Sequence, residues 1–330
     1  MGKSGGKLNF SGMTILGLNI ALITVLLVTT DTFAQYDNIY SVLYGMSIQC
    51  IAIIGFAFLM ILGEIDLSVG SMYGLSGIAT ALLHMYFGLP FYLSAIIVIF
   101  LCTLYGFAIG NLVARLRLNS MIVTLAGMSL IYGLSAILFS IAGPGTYSEV
   151  YRSVARFRIL SIHWTIILIV IVVVACEIAM HKTTLIKKLF LTGSNIESAR
   201  IYGIKSTKIK SAVFALSSFC AAFGGVVVAS RITHSNLNTG QGLEVVFVTA
   251  CVIGGIKFSG GRGSILGAAL GLMFLAFLTN GMQIYRMNPL VQQVAVGIIL
   301  ILAVFTDVLM DNIRSKNKRT LQSSQKEVVS

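Results

Sequence analysis

Ten apolar runs recur along the chain, at about residues 12–30, 42–62, 70–87, 91–113, 121–142, 164–180, 212–230, 244–256, 264–279 and 290–310. Polar residues or glycine and proline bound each run. A helix needs about 20 apolar residues to cross a hydrocarbon layer, so these runs consume most of the chain. They dictate an all-α, polytopic membrane protein with about ten transmembrane helices. Only 10% of the residues are charged, where a soluble chain carries about 25%, so too few ionisable side chains remain to coat a soluble domain. The reading is one transmembrane domain over 1–311 and a cytoplasmic polar tail over 312–330. The eighth and ninth runs are short, and Gly254, Gly255, Gly260, Gly261 and Gly263 interrupt the sequence between them.

Placing the first helix so that it enters from the cytoplasm puts 18 of the 23 Lys and Arg residues on the cytoplasmic side. Arg152, Arg156, Arg158, Arg231 and Arg286 remain on the other. That bias follows the positive-inside rule and makes both termini cytoplasmic. The net charge of +12 is therefore loop charge obeying topology, and no nucleic-acid partner is expected. Lys3 and Lys7, an apolar stretch and Thr32-Phe33-Ala34 imitate a secretory leader. The stretch is long for a leader core, so an uncleaved first helix is preferred. Cys50, Cys102, Cys176, Cys220 and Cys251 are scattered singly through apolar runs, as buried free thiols are.

Residues 63–74 resemble residues 254–267 once two residues are inserted. Each copy lies between an inward-running and an outward-running helix, so the two are a candidate internal repeat of broken-helix hairpins, a device common in transporters. Chance likeness between two Gly/Ser-rich turns is the alternative. Gly63, Gly70 and Gly74, with Ser68 and Ser71, allow close backbone approach that a lipid-facing surface does not require. Glu64 and Asp66 at this break are costly unless they meet water or a partner. They are either functional or capping groups.

The segment Gly63-Glu64-Ile65-Asp66-Leu67-Ser68-Val69-Gly70-Ser71 resembles the signature of sugar-importing ABC permeases of the ribose, xylose, galactose and autoinducer-2 class. Family members usually carry Gly where this chain has Glu64. A second likeness runs from Gly193-Ser194-Asn195-Ile196-Glu197 through Arg200 to Gly203-Ile204. A third covers Gly254-Gly255-Ile256, Gly260-Gly261-Arg262-Gly263-Ser264 and Gly267, followed by Asn280-Gly281. The resemblance extends from about residue 40 to 310. It implies a non-catalytic permease subunit in a bacterial inner (plasma) membrane, moving a pentose or hexose by alternating access. The implied partners are a cytoplasmic ATP-binding subunit, a periplasmic solute-binding protein, a second permease subunit, identical or different, and membrane lipid. More distant relatives carry nucleosides or branched-chain amino acids, and sequence alone does not choose the solute. No cofactor, metal or catalytic residue is expected. The only Gly-Lys-Ser, residues 2–4, has no strand or loop before it to cradle a phosphate.

Within the long 181–211 segment, Asn195 can cap a short helix that Gly203 ends in a left-handed conformation. Ile196, Ala199 and either Tyr202 or Gly203 share a face, and Glu197 and Arg200 are spaced to pair. Gly193, Asn195, Glu197, Ala199, Arg200 and Gly203 thus form the expected ATPase-coupling loop, a knob for a groove on the ATPase. A solvated loop whose lysines only set topology is the alternative. Arg152, Arg156 and Arg158 in the 143–163 segment are the expected docking charges for an acidic binding protein, or else a solvated or headgroup-facing stripe. Asn19, Gln49, Asp66, Ser68, Ser71 and Asn280 are candidates for the substrate path, and each could instead be interhelical glue.

An ion-coupled secondary transporter is the rival reading, with Glu64 and Asp66 at a broken helix and Glu177, Glu244 and Asp307 near helix ends. A membrane-embedded enzyme finds little support. His84, His163, His181 and His234 fall near span ends or in loops, and no His-Glu-x-x-His occurs.

Overall fold

A computed structural model of the chain describes residues 10–143, 148–234 and 236–329. Lys3, Lys7 and the Gly2-Lys3-Ser4 triplet lie outside the described residues. Every one of the ten apolar runs falls on a helix. In chain order these are α1 (Phe10–Thr29), α2 (Tyr36–Ile61), α3 (Val69–Ala81), α4 (Phe91–Leu116), α5 (Ser120–Ala142), α7 (Trp164–Lys182), α10 (Ser206–Ile232), α11 (Leu243–Ile253), α12 (Ile265–Ile284) and α13 (Pro289–Val329). A π-helical turn, Leu82–Tyr86, extends α3.

Six of them are long and apolar enough to cross a membrane: α2, α4, α5, α10, α12 and the Pro289–Leu309 part of α13. A seventh crossing results if α7 and α8 (Thr184–Ser194), bent by 74° at their junction, count as one span. The expectation of about ten full crossings is thus met by six or seven on length and composition. Part of the shortfall has a local cause, because α3 and α11 are only 13 and 11 residues long, each lying beside a glycine-rich break; in α1 the apolar stretch counted is Met13–Thr29.

Packing sorts the helices by role. In α2, 72% of the apolar window is buried, against 6% in α13, so α2 is central and α13 faces outward. Helix α10 packs against α4, α2 and α3, and these four helices make the core around Phe56, Met72, Tyr73, Phe214 and Ala221. Such contact is van der Waals packing rather than water exclusion, since lipid tails are as apolar as leucine. The described part of the 143–163 segment, from Ser148 on, is more ordered than a loop. It holds α6 (Glu149–Arg156) and a two-stranded hairpin, Arg158–Ile159 with Ile162–His163, so the all-α reading gains one small β-element. Helix α9 (Ile196–Ile201) lies at the opposite end of α7 and α10. All five cysteines are free, and four are buried.

Candidate functional site

Helices α2 and α11 end with the same device. After α2, Gly63 takes φ +80° while its N–H bonds Met60 O at 2.9 Å and Glu64 N bonds Leu59 O at 3.1 Å. After α11, Gly255 takes φ +86°, with Gly255 N on Val252 O and Ile256 N on Cys251 O, both at 2.9 Å. Both are Schellman caps, which need a left-handed residue and so favour glycine. The two caps set Gly63 in register with Gly255, one residue beyond the start of the sequence match. Ser68 and Ser264 stand before the following helices, but only Ser264 caps with its side chain, accepting from Gly267 N at 2.9 Å.

The two breaks touch each other and the segment that leads into α9. Gly261 N donates to Ile61 O at 2.8 Å, across from one break to the other. A Cβ on Gly260 would lie 2.6 Å from Gly63 Cα, and one on Gly261 would lie 2.7 Å from Ser194 Cα. A Cβ on Gly193 would collide with Ile61 O and stand 3.1 Å from Leu62 C. Three backbones therefore meet where no side chain fits, and the middle one runs directly into α9.

Helix α9 forms as its sequence requires. The Asn195 side chain accepts from Glu197 N at 2.9 Å and Ser198 N at 3.0 Å. Gly203, at φ +69°, closes the far end through Gly203 N on Arg200 O and Ile204 N on Ala199 O. Ala199 is fully buried and turns inward, whereas Ile201 and Tyr202 are 85% and 75% exposed. The expected docking face of Ile196, Ala199 and Tyr202 is thus corrected. Ala199 anchors the helix to its own subunit, and the exposed apolar face is Ile196, Ile201 and Tyr202. Glu197 and Arg200 form no ion pair among the described residues.

Side chains hold the two breaks differently. At the first, Ile65 N donates to Ser120 Oγ at 3.3 Å and Leu67 N to Thr124 Oγ1 at 3.0 Å, both from α5. Lys210 of α10 contacts the Glu64 carboxylate. At the second, Leu266 N donates to Glu177 of α7 at 3.3 Å and Phe258 N to Asp307 of α13 at 3.5 Å. A cavity of about 310 Å³ opens between the breaks and the α4–α5 turn, lined by Gly63, Glu64, Asn119, Ser120 and Ser259 among others. That is at the small end of the range for ligand pockets.

Of the expected path residues, four are engaged elsewhere. Asn19 donates to Ile15 O and across to Leu270 O of α12. Asn280 and Asn38 exchange reciprocal amide bonds of 2.8 and 3.1 Å between α12 and α2. Asp66 accepts from Ser68 N at 2.9 Å and Ser68 Oγ at 2.6 Å, a local turn that occupies both residues. Gln49 and Ser71, both partly exposed, have no hydrogen-bond partner among the described residues.

At the α6 end, Glu149 pairs with Arg152 at 2.8 Å and Arg156 at 3.5 Å. The Arg158 guanidinium lies 5.9 Å from the Tyr40 ring centre. The three arginines are therefore partnered within the subunit rather than presented as a bare cationic stripe. Behind them His163 stacks on Tyr44 at 3.8 Å, Arg231 covers the Tyr44 ring at 4.6 Å, and Tyr40 Oη meets His163 Nδ1 at 2.6 Å. Burial, then Arg158 and Arg231, push the His163 pKa below its ordinary value. The charge pattern of the sequence pointed to the arginines but carried no sign of this aromatic stack. Nor did it single out Lys210, Ser120 or Thr124. The departure from the family motif at Glu64 was the one available signal for Lys210.

No group of three or more His, Cys, Asp or Glu side chains that could hold a metal occurs among the described residues. Residues 38–304 match the family described as branched-chain amino acid transport system / permease component. The chain is 28% identical to the ribose import permease protein RbsC of Haemophilus influenzae, covering 87% of this chain and 90% of that one. It is 28% identical to the L-arabinose transport system permease protein AraH of Escherichia coli, over 88% and 87% of the two chains. It is 27% identical to the galactose/methyl galactoside import permease protein MglC of Escherichia coli, over 88% and 92%. No solved structure matches.

Proposed function

We propose, from the premise that this chain belongs to the family of branched-chain amino acid transport system / permease components, that it is the membrane subunit of an ATP-driven importer for a pentose or hexose. The sugar preference rests on the ribose, arabinose and galactose permeases among its relatives. A multi-pass protein of the bacterial plasma membrane is the setting in which such a permease works. The ten helical segments would then place both termini and α9 in the cytoplasm, with α6 and the hairpin outside.

One observation carries the coupling reading. Helix α9 exposes Ile201 and Tyr202, while the residues just before it are wedged against both helix breaks. An ATP-binding subunit that grips this exposed face would move the junction with it, since glycine contacts leave no compliant side chain between the backbones. Alternating access follows if the breaks at 62–68 and 254–264 tilt their helices in response. A solute-binding protein would dock on the α6 end. There the Glu149-centred arginines act as rim charges that set association rate more than affinity. A second permease subunit, identical or different, completes the path. Gln49 and Ser71, without a hydrogen-bond partner among the described residues, would contribute its hydrogen bonds. The cavity beside Ser120 and Ser259 lies where a solute would leave.

The reading against ion coupling rests on the carboxylates. Glu177 and Asp307 bond backbone N–H groups, Glu64 has its lysine and Asp66 Oδ1 is turned to Ser68, which leaves Glu244 in the first turn of α11 as the carboxylate open to the rival reading. The test is uptake of radiolabelled ribose, arabinose, xylose and galactose into right-side-out vesicles carrying the cognate ATP-binding and solute-binding proteins. Uptake of one sugar that needs both partners supports the proposal. Uptake of a branched-chain amino acid but no sugar would sink the substrate class.

A further inference from the structure

Glu64 is buried, at 8% exposed, one residue past the cap of α2, and its carboxylate meets the Lys210 ammonium near the start of α10. Both side chains are mostly withdrawn from solvent. Desolvating two charges is unfavourable unless their geometry is good, and removing one partner leaves an uncompensated buried charge. Asp66 Oδ1 is turned to Ser68, and it is Glu64 that Lys210 meets. No other Lys or Arg pairs with Glu64 among the described residues.

The position of the pair gives it a use. Helix α10 follows α9 almost without a linker, and Ile204 N on Ala199 O and Ser206 N on Ile204 O tie the two helices together. A displacement of α9 thus has two routes to the core. The first, through Gly193, reaches the end of α2 and the second break together. The second, through Lys210, reaches only the first break and hence α3, which packs on α10 and α5. We infer that Glu64 and Lys210 form a strut that makes α3 follow α9 and α10 during the transport cycle. They are positioning residues that touch no solute. The inference rests on the importer reading above.

The test uses the complete importer, the chain with its ATP-binding and solute-binding proteins in proteoliposomes. It compares sugar imported per ATP hydrolysed for the unsubstituted chain with Glu64→Gln, Lys210→Gln, the double change, and the swap Glu64→Lys with Lys210→Glu. Each single change is expected to lower the ratio about tenfold, the scale on which residues along a coupling route act. Hydrolysis stimulated by the binding protein and assembly in detergent should persist. The double change should be no worse than either single one, and the swap should recover the ratio to within about threefold. Native ratios in the single variants would overturn the strut, as would losses that multiply in the double change. If the single variants fail to assemble, the swap decides: assembly with transport supports the strut, and assembly without transport overturns it. Absence of ATP-dependent uptake by the unsubstituted chain overturns the importer reading and the strut together. Uptake with unchanged ratios in every variant overturns the strut alone.

Discussion

After α2 the chain leaves its helix through Gly63, and after α11 through Gly255, with matching pairs of backbone bonds; beyond those caps the two breaks diverge. The second carries backbone turns of its own, beside the carboxylates of Glu177 on α7 and Asp307 on α13. Lys257 N bonds Arg262 O, Gly260 N bonds Lys257 O, and the helices on either side of it, α11 and α12, pack on each other. The first has no backbone-to-backbone turn of that kind among the described residues, and its local turn is made by the Asp66 side chain with Ser68. Hydroxyls of α5 and the ammonium of α10 hold it, and α3 packs on α10 and α5 rather than on α2. The same cap therefore leads into two differently held segments: at the second break the flanking helices pack extensively on each other, and at the first they barely touch, so α5 and α10 carry more of the hold. In the proposed cycle the second break is the pin and the first is the hinge.

The strongest way to break that picture is to fill the place where both meet. Gly193→Val drives a side chain into Ile61 O and Leu62. Overpacking a core costs about 1–3 kcal/mol where neighbours can shift, and backbone cannot, so uptake is expected to fall to background and assembly to suffer. Gly133→Val is the matched control, on α5 with ordinary helical backbone and nothing within 4 Å of a Cβ there. Native behaviour of Gly193→Val in vesicle uptake would remove the junction from the mechanism.

Next in size is the exposed face of α9. Tyr202→Glu is expected to abolish stimulation of ATP hydrolysis by the binding protein while leaving the melting temperature in detergent unchanged. Ala199→Glu should instead lower the melting temperature, since Ala199 is fully buried. Equal effects of the two on stability would contradict the assigned orientation.

Gly63→Ala and Gly255→Ala put the comparison itself on trial. Both residues have positive φ, so each substitution should cost about 1 kcal/mol. If the first break is the hinge, only Gly63→Ala should also change the sugar-to-ATP ratio. Asn280→Ala, which breaks the amide pair with Asn38, should cost about 0.6–1.7 kcal/mol and leave the sugar KM unchanged.

Smallest is a pH effect confined to the α6 end. His163 has a lowered pKa in the fold, so the unfolded segment binds a proton first as pH falls below about 6.5. The stabilisation is present above that value and is lost as pH falls toward the folded pKa. Faster hydrogen exchange of α6 and the hairpin at mildly acid pH, abolished by His163→Gln, is the expected result. A pH-independent exchange rate would argue against the stack as the anchor of this end.

Much of this architecture was legible in residue order. Apolar runs located the helices because lipid demands length and hydropathy, and Asn195 and Gly203 marked α9 because caps are local chemistry. The span count was less legible: the eighth run was already short in the sequence, but the run at 70–87 does not reveal that the α-helix of α3 ends at Ala81. Partners distant in sequence were invisible. Asn280 was as plausible a solute ligand as a mate for Asn38, and only folding brings them together. Ala199 illustrates the limit of periodicity, which groups residues on a face but does not say whether that face meets the subunit or its partner. The arginines were visible as charge, while the pairing of Glu149 with two of them was not.

The central claim, that ATP hydrolysis on a partner drives this chain through α9, is tested most directly in proteoliposomes loaded with ATP and the ATP-binding subunit. The account predicts sugar uptake that needs internal ATP and external binding protein, survives a protonophore, and disappears with Tyr202→Glu. Uptake driven by an imposed ion gradient without ATP, and indifferent to Tyr202, would contradict it.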